Sequence, residues 1–273
     1  MISLLGIPFD AASSFLSGSS DAPSRIREAL GSASSNLATE NGAPFEIGSN
    51  VVDLGDVEGL EHLRGEAAVE WITDAAAKAL SHEHPLLALG GDHSVSWPLL
   101  RATAPKYDRL TILHFDAHPD LYADFEGDKY SHACPFARVM ESFDHIELIQ
   151  IGIRTMNAHC AEQVALFGVK VFDMNMLPSP AELIIDGPIY ISVDMDVLDP
   201  AFAPGVSHHE PGGLSTRELI SILHSIRAPN GMPANCIGAD LVEYNPSRDN
   251  DGVTAMVAAK LIKELSVLLH PTH

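Results

Sequence analysis

Basic side chains are scarce in this chain: 16 Lys and Arg stand against 37 Asp and Glu in 273 residues, a formal net charge of −21. Phosphate backbones and anionic lipid surfaces repel so acidic a protein, so we expect neither nucleic acid nor a membrane as its partner. Hydrophobic residues still make up 46% of the chain, which excludes a disordered acidic tail. Most of the excess charge is therefore expected to solvate the surface.

Cysteine is also scarce, and long apolar runs are missing. Cys134, Cys160 and Cys236 are an odd number, lie far apart and form no Cys-x-x-Cys pair, which argues against a disulfide framework and favours a reducing compartment. No apolar run approaches the roughly 18 residues of a membrane span, and the start of the chain lacks the basic residues of a secretory signal. These absences predict a cytoplasmic protein.

Short apolar runs alternate with helix-like stretches along the whole chain. This alternation predicts a single α/β domain over residues 1–273, with a mostly parallel sheet covered on both faces. The predicted strands are 2–7, 51–54, 85–89, 110–115, 146–153, 169–172, 189–193 and 236–242. The predicted helices are 23–30, 67–81, 94–104, 135–142, 216–226 and 254–269. Residues 31–44 form the one long predicted loop, a candidate surface lid.

Three motifs rich in Asp and His each follow a predicted strand, where open α/β sheets bind their ligands. They are Gly-Gly-Asp-His-Ser at 90–94, Asp-Ala-His-Pro-Asp at 116–120 and Asp-Met-Asp at 194–196. Side chains at positions i, i+2 and i+4 of an extended segment point the same way. We therefore expect the acids and histidine of the second motif to converge, and likewise the two acids of the third.

Together with His93, these motifs bring four carboxylates and two imidazoles to one edge of the sheet. So many negative charges do not stay ionised together without cations among them. Taken alone, the third motif is typical of a turn or helix cap, the second can be a cap with a surface histidine, and the two glycines of the first indicate only a sharp bend. Three such motifs at strand ends favour a metal cluster. The set suits two ions with bridging oxygens, and its lack of cysteine argues against structural zinc. Oxygen-rich donors with some imidazole favour Mn²⁺, with Fe²⁺, Co²⁺ or Ni²⁺ as alternatives.

The three motifs, the third extended to Ser-Val-Asp-Met-Asp-Val-Leu-Asp-Pro at 192–200, resemble the signatures of the ureohydrolases. This family contains arginases, agmatinases and related amidinohydrolases, and the likeness runs from residues 6–8 to the last predicted helix. It implies a three-layer α/β/α fold, two Mn²⁺ per chain and a homo-oligomer, either trimer or hexamer. The implied ligands are His93, Asp116, Asp120 and Asp194 for one ion, and His118, Asp116, Asp194 and Asp196 for the other.

The same resemblance implies the reaction: hydrolysis of a small cationic guanidino compound to urea and an amine. His132 matches the family's active-site histidine, and Glu243 matches the acid that pairs with the substrate guanidinium. Asp120 would pass a proton to the departing nitrogen, and His132 would relay protons to solvent. Read without the resemblance, Glu243 is a structural acid at a strand end and His132 a surface histidine.

The sequence says less about which residues contact the end of the substrate remote from the guanidinium. Residues 125–134, which include Asp128 and Tyr130, resemble plant-type arginases, as do 205–213 and 240–249, and the first of these stretches is expected to border the pocket. Animal-type arginases carry an Asp after their Gly-x-Arg motif to meet the α-ammonium, whereas here the matching residue is Asn157, a weaker partner for an ammonium. We expect arginine as the substrate, with agmatine or another guanidino compound as the alternative.

Two interpretations from other classes remain. A metal-dependent deacetylase has a similar fold but generally uses a single zinc, so it would not need all six ligands. A non-catalytic partner subunit would bind metal or stabilise a related chain without releasing urea. Two bound metals per chain would exclude the first, and urea release would exclude the second.

Overall fold

The computed structural model describes residues 1–269, and its eight strands form one sheet in which every neighbouring pair is parallel. The strands are β1 Ile2–Gly6, β2 Val51–Asp56, β3 Leu86–Leu89, β4 Leu110–Phe115, β5 Ile146–Ile153, β6 Lys170–Asp173, β7 Pro188–Asp194 and β8 Asn235–Val242. Their order across the sheet is β2-β1-β3-β8-β7-β4-β5-β6. The three strands followed by the Asp/His motifs, β3, β7 and β4, therefore lie with β8 in the middle of the sheet.

Seven α-helices accompany the sheet in the described part of the chain. They are α1 Ala22–Leu30, α2 Gly65–Leu80, α3 Ser96–Thr103, α4 Pro135–Ser142, α5 Ala158–Phe167, α6 Thr216–Ser225 and α7 Val253–Leu268. Among residues 1–269, no helix has both the length and the apolar character of a membrane span.

Alternate residues of each strand pack on opposite faces of the sheet. In β3, Leu87 and Leu89 pack with α1, α6 and α7, whereas Leu86 and Ala88 pack with α2 and α3. A strand buried on both faces is apolar throughout rather than alternating, which is why the core strands read as continuous apolar runs. The predicted three-layer α/β/α class is confirmed.

All eight predicted strands are present, with ends that differ by no more than two residues, and so are the six predicted helices. Helix α5 was not predicted. Cys160 is its one buried residue, so the helix shows little amphipathic periodicity. Its ends did carry signals: the Asn157 side chain caps the first turn, and Gly168 ends the helix with a positive φ of 66°.

The expectation that residues 31–44 form a lid is wrong. This stretch leads from the end of α1 toward the beginning of β2, at the edge of the sheet opposite to the Asp/His motifs. The Glu40 backbone N–H donates to Glu264 Oε1 at 2.9 Å, and Lys263 Nζ donates to the Asn36 carbonyl. Hydrogen bonds to the last third of α7 therefore hold the loop against the helix layer.

Candidate metal centre and substrate cavity

The candidate site lies at the carboxyl edge of the four central strands. His93 follows β3, the 116–120 motif follows β4, Asp194 ends β7, and Glu243 directly follows β8. Parallel strands all end at the same edge, so four separate sequence segments meet there. Asp120 and Glu243 adopt positive φ angles of 50° and 63°, a conformation that costs non-glycine residues free energy and is concentrated at functional sites.

The ring of His93 faces three carboxylates at once. Its Nδ1 atom lies 3.1 Å from Asp116 Oδ2, 3.1 Å from Asp120 Oδ2 and 3.0 Å from Asp194 Oδ2. His93 is fully buried, yet Nδ1 makes no hydrogen bond within residues 1–269. A buried polar atom without a partner is rare and requires an explanation. A cation held jointly by this nitrogen and the three carboxylates supplies one.

A second group of ligand atoms lies beside the first. His118 Nδ1 is 3.0 Å from Asp196 Oδ2 and 3.4 Å from Asp116 Oδ1. Asp116 thus directs one carboxylate oxygen to each histidine, which is the arrangement of a bridging ligand. All six residues predicted as metal ligands are brought together.

Burial and neighbouring charges shift the pKa values of the carboxyl groups at this edge in opposite directions. Burial, together with the neighbouring Asp196 and Asp116 carboxylates, raises the pKa of Asp194 well above its usual range. Burial likewise raises the pKa of Asp196 to about 6. Burial also works against ionisation of Asp116, but the adjacent rings of His114, His118 and His93 outweigh it and hold its pKa well below the ordinary value. Carboxylates crowded in this way, with imidazoles between them, fit divalent cations.

A layer of polar side chains behind the ligands was missed by the sequence reasoning. His93 Nε2 lies 3.0 Å from Ser192 Oγ, and Ser192 donates to Asp240 Oδ1 at 2.6 Å. His114 Nε2 lies 2.8 Å from Asp116 Oδ2. Such outer partners orient metal ligands and set the tautomer of a ligand histidine. A signal was available for His114, because it precedes Asp116 by two residues and so shares its side of the strand.

His132 and Glu243 form a buried ion pair next to the metal ligands. His132 Nδ1 lies 3.0 Å from Glu243 Oε1, which also accepts a 2.9 Å hydrogen bond from the His93 backbone N–H. Burial acts to lower the pKa of His132, but the hydrogen bond and charge of Glu243 outweigh it and raise the pKa to about 9. Burial favours the neutral acid in Glu243, yet His132 holds its pKa below the ordinary value.

A cavity of about 200 Å³ opens over these residues. Of the residues predicted for substrate and catalysis, Asp120, His132, Asn157 and Glu243 line it. Asp128 and Tyr130 do not. The Asp128 side chain turns back to accept the Tyr130 backbone N–H at 2.8 Å, and the Tyr130 ring packs under the Lys129 ammonium. The tight turn at this point therefore directs both side chains away from the cavity.

The cavity wall includes residues that the sequence reasoning did not single out. They are Ser14, Tyr122, Phe125, Thr155, His208 and Glu210. Ser14 and His208 come from segments far from the three motifs, so only the fold brings them to the site. Asn157 caps α5 and its Nδ2 donates to Tyr122 OH at 2.5 Å, so it contributes to the wall through a hydrogen-bonded pair.

A parallel α/β sheet with this acid- and histidine-rich centre fits the class of metal-dependent hydrolases. The arginase family model matches residues 1–267. The chain is 45% identical to mitochondrial arginase 1 of Arabidopsis thaliana over 97% of this chain and 80% of the relative. It is 32% identical to an agmatinase of Bacillus cereus over 96% of this chain and 89% of the relative. The solved arginase of Medicago truncatula superimposes with a TM-score of 0.88 at 43% identity, covering 98% of this chain and 87% of that one.

The chain belongs to the arginase family, whose members are metal-dependent. The predicted resemblance to ureohydrolases is confirmed, and the coordinating groups at the carboxyl edge are able to bind metal. The predicted cytoplasmic location is contradicted by the plant relatives, which are named mitochondrial or chloroplastic/mitochondrial arginases. The prediction rested on sparse cysteine and on the lack of a membrane span and of a secretory signal, and these features do not distinguish among the compartments that provide a reducing environment.

Proposed function

We propose that this chain is a binuclear manganese arginase that hydrolyses arginine to ornithine and urea. The observation that carries the proposal is the pair of ligand groups around His93 and His118, joined through Asp116 and lying at the floor of a cavity that also contains His132 and Glu243. Plant arginases 42–45% identical over nearly the whole chain support arginine as the substrate.

The residues that would hold the ions are those predicted. His93, Asp116, Asp120 and Asp194 would hold one ion, and His118, Asp116, Asp194 and Asp196 the other. When bound, two divalent ions supply the acidified water that hydrolysis of an unreactive guanidinium carbon requires. Oxygen-rich donors with imidazole favour Mn²⁺ over Fe²⁺, Co²⁺ or Ni²⁺.

Glu243 would orient the substrate cation. Its Oε1 already accepts two hydrogen bonds, from His132 and from the His93 backbone, whereas Oε2 has no hydrogen-bond partner within residues 1–269. This geometry leaves Oε2 as the main acceptor for the substrate guanidinium. A carboxylate held in place by two donors presents its remaining oxygen without further loss of side-chain entropy.

The departing nitrogen needs a proton before it leaves as an amine. Asp120 lines the cavity and would deliver that proton. His132 is held by Glu243 at one ring nitrogen and would exchange the proton with solvent through the other.

Agmatine is the second candidate substrate, and the cavity itself favours it. Among residues 1–269, those lining the cavity include no Lys or Arg to meet an α-carboxylate, and Glu210 adds a negative charge. Agmatine carries an amine and no carboxylate, so it suits such a wall. The agmatinase relative of Bacillus cereus is consistent with this alternative.

The test is urea release after reconstitution with Mn²⁺, Ni²⁺, Co²⁺ or Zn²⁺ in turn. Arginine, agmatine, guanidinobutyrate and guanidine are compared by kcat/KM. We expect arginine with Mn²⁺ to give the highest value. A higher kcat/KM for agmatine would replace arginase by agmatinase, and absence of urea from every compound would favour a non-catalytic partner subunit.

A variant separates substrate binding from metal binding. Glu243→Gln keeps the shape of the side chain but removes its charge, so we expect two metal ions to remain while kcat/KM falls at least about 30-fold. Asn157→Asp is a second change among the residues that line the cavity, and it should raise kcat/KM for arginine by supplying an acid for the α-ammonium. Full activity of Glu243→Gln would remove that residue from the mechanism.

We also propose that residues 1–273 form a single ureohydrolase domain and that the chain assembles as a homotrimer or hexamer. Both rest on the resemblance to the family. Light scattering of the purified protein after size exclusion measures the assembly, and a monomer at micromolar concentration would contradict it.

A further inference from the structure

Ser14, on the segment that follows β1, contacts the outer side of the His132 ring. The Ser14 Oγ atom lies 2.8 Å from His132 Nε2, while Nδ1 of the same ring lies 3.0 Å from Glu243 Oε1. Both ring nitrogens are therefore engaged, and the two partners come from opposite ends of the chain. Ser14 is itself exposed and lines the cavity, so its hydroxyl lies between His132 and solvent.

The segment that carries Ser14 is held by buried polar side chains next to the site. Asp92 Oδ2 accepts the Ala12 backbone N–H at 2.9 Å, and the His132 backbone N–H donates to the Ala12 carbonyl at 3.2 Å. Further along, Asn245 Nδ2 donates to the Leu16 carbonyl at 3.0 Å. Asp92 and Asn245 are fully buried. Because the segment is anchored on both sides of Ser14, the position of this hydroxyl does not depend on its own bond to His132.

A serine hydroxyl can both accept and donate a hydrogen bond, which suits its position beside Nε2 of His132. A histidine that exchanges protons alternates between imidazolium, in which both nitrogens donate, and neutral imidazole, in which one nitrogen accepts. Glu243 can only accept, so it fixes the proton on Nδ1 in both states. Ser14 can accept from Nε2–H of the imidazolium and, after its hydroxyl rotates, donate to Nε2 of the neutral ring. One residue thus contacts Nε2 throughout the cycle.

We propose that Ser14 is a positioning and proton-relay residue for His132: it holds the ring in one orientation, while Glu243 fixes the tautomer, and it stays in contact with Nε2 as that nitrogen gains and loses its proton. In the release step the Nε2–H bond breaks, the proton passes to Ser14 Oγ, and the hydroxyl's original proton leaves to water, so that serine is regenerated. This inference rests on the proposed function for its kinetic consequence, but the contact itself can be measured without turnover.

The kinetic test compares three variants of the Mn²⁺-loaded protein. Ser14→Ala should lower kcat for urea release about tenfold, the effect of losing one hydrogen bond to a charged group, with KM within about twofold of the unmodified chain. Ser14→Thr keeps the hydroxyl and should recover kcat to within about threefold. Ser13→Ala is the matched control: within residues 1–269 its hydroxyl hydrogen-bonds to Asp92 alone, at 3.4 Å, and we expect its kcat to be unchanged.

A spectroscopic test does not need activity. In protein loaded with diamagnetic Zn²⁺, the ¹⁵N chemical shift of His132 Nε2 in Ser14→Ala should differ from that of the unmodified chain. The shift should be unchanged in Ser13→Ala and Ser14→Thr. An unchanged shift in Ser14→Ala would overturn the inference, as would unchanged kcat. A raised KM with normal kcat would instead make Ser14 a substrate contact. Absence of urea release by the unmodified chain counts against the proposed function alone, because the shift still tests the contact.

Discussion

Two clusters of buried ionisable side chains lie at opposite edges of the same sheet, and they differ in whether their hydrogen bonds are complete. Near the end of α7, fully buried Glu264 accepts from the Glu40 backbone at 2.9 Å, from His224 Nε2 at 2.8 Å and from Lys260 Nζ. At the carboxyl edge, four carboxylates surround two histidines, and the buried Nδ1 of His93 has no partner among the described residues. The first cluster is complete within the chain, whereas the second needs cations.

This difference separates a structural role from a binding role. A buried charge whose partners are all present ties helices and loops together, and removing one member leaves the others unsatisfied. A buried cluster with excess charge of one sign destabilises the metal-free fold and gains its compensation from a ligand. Substitutions in the Glu264 cluster should therefore lower stability and leave activity unchanged. Substitutions at the carboxyl edge should lower activity without lowering the stability of the metal-free protein.

The largest effect is expected from Asp194→Asn. Because this carboxylate lies close to His93 and belongs to both proposed ligand sets, its loss should lower kcat/KM at least about 10³-fold, equivalent to about 4 kcal/mol of transition-state stabilisation. Elemental analysis should find fewer than two ions per chain. The metal-free variant should unfold at the same temperature as the unmodified metal-free chain or higher, because a disfavoured buried charge has been removed. Full metal content with full activity would contradict the assignment.

Glu264→Ala tests the other cluster. It should lower the free energy of unfolding by about 3 kcal/mol, because Lys260 and His224 lose their buried partner, while kcat/KM of the folded protein stays unchanged. Urea denaturation monitored by circular dichroism measures the first and urea release the second. Glu70→Ala, which removes an exposed acid on α2, is the control and should change neither. A loss of activity in folded Glu264→Ala would mean that the two edges are coupled.

Asp240→Asn tests the polar layer behind the metal ligands. Asp240 accepts from Ser192 at 2.6 Å and from Tyr190 OH at 2.8 Å, so it orients the serine that contacts His93. We expect the Mn²⁺ concentration for half-maximal urea release to rise about 10- to 100-fold. Tyr190→Phe removes only the bond to the other oxygen of Asp240 and should have a smaller effect. Equal Mn²⁺ requirements in all three proteins would show that this layer does not tune the site.

The smallest effect is expected from the partly exposed pair of Arg217 and Glu40, which lies beside the Glu264 cluster. Arg217 donates to both Glu40 oxygens, at 2.6 and 2.7 Å, and this hydrogen-bonded pair lowers the pKa of Glu40 from 4.5 to about 2. A depressed pKa means that the folded state favours the ionised acid, so the stabilisation is present above pH 4.5 and is lost as pH falls toward 2. Because the pair is partly exposed, Glu40→Gln should cost less than about 1 kcal/mol at pH 7.

The pH series is the decisive measurement for this pair. The difference in urea midpoint between Glu40→Gln and the unmodified chain should shrink steadily as pH is lowered below 4.5. A difference that grows on acidification would assign the stabilisation to another group.

Much of the fold was predictable because parallel strands buried on both faces are continuous apolar runs, and eight such runs stand between helix patterns. The six proposed metal ligands were predictable because their motifs directly follow strands that end at one edge of the sheet. The extended geometry expected for the motifs is wrong: residues 117–118 bend, Asp120 has a positive φ of 50°, and residues 195–197 form a turn of 3-10 helix. Helix α5 was missed because its buried face is a single cysteine, and the supposed lid at residues 31–44 was misplaced because loop composition does not specify which edge of a sheet a loop covers.

The sequence by itself determined that three Asp/His motifs directly follow core strands, because the strands are continuous apolar runs and their carboxyl ends meet at one edge of a parallel sheet. The way the side chains of Asp116, His118 and Asp120 meet was decided by the tertiary structure, since residues 117–118 bend and Asp120 has a positive φ of 50° instead of continuing the extended strand. Only the tertiary structure decided that Glu243 and Ser14 engage opposite nitrogens of His132, because those three residues are separated by more than a hundred positions and meet through strand order and anchored loops. At Asp128 a local contact overrode the resemblance. The resemblance to plant-type arginases predicted that this side chain contacts the substrate, but a hydrogen bond to the backbone directs it away from the cavity. Motifs at strand ends thus predicted the proposed ligand set, whereas the groups around His132 were decided by long-range packing.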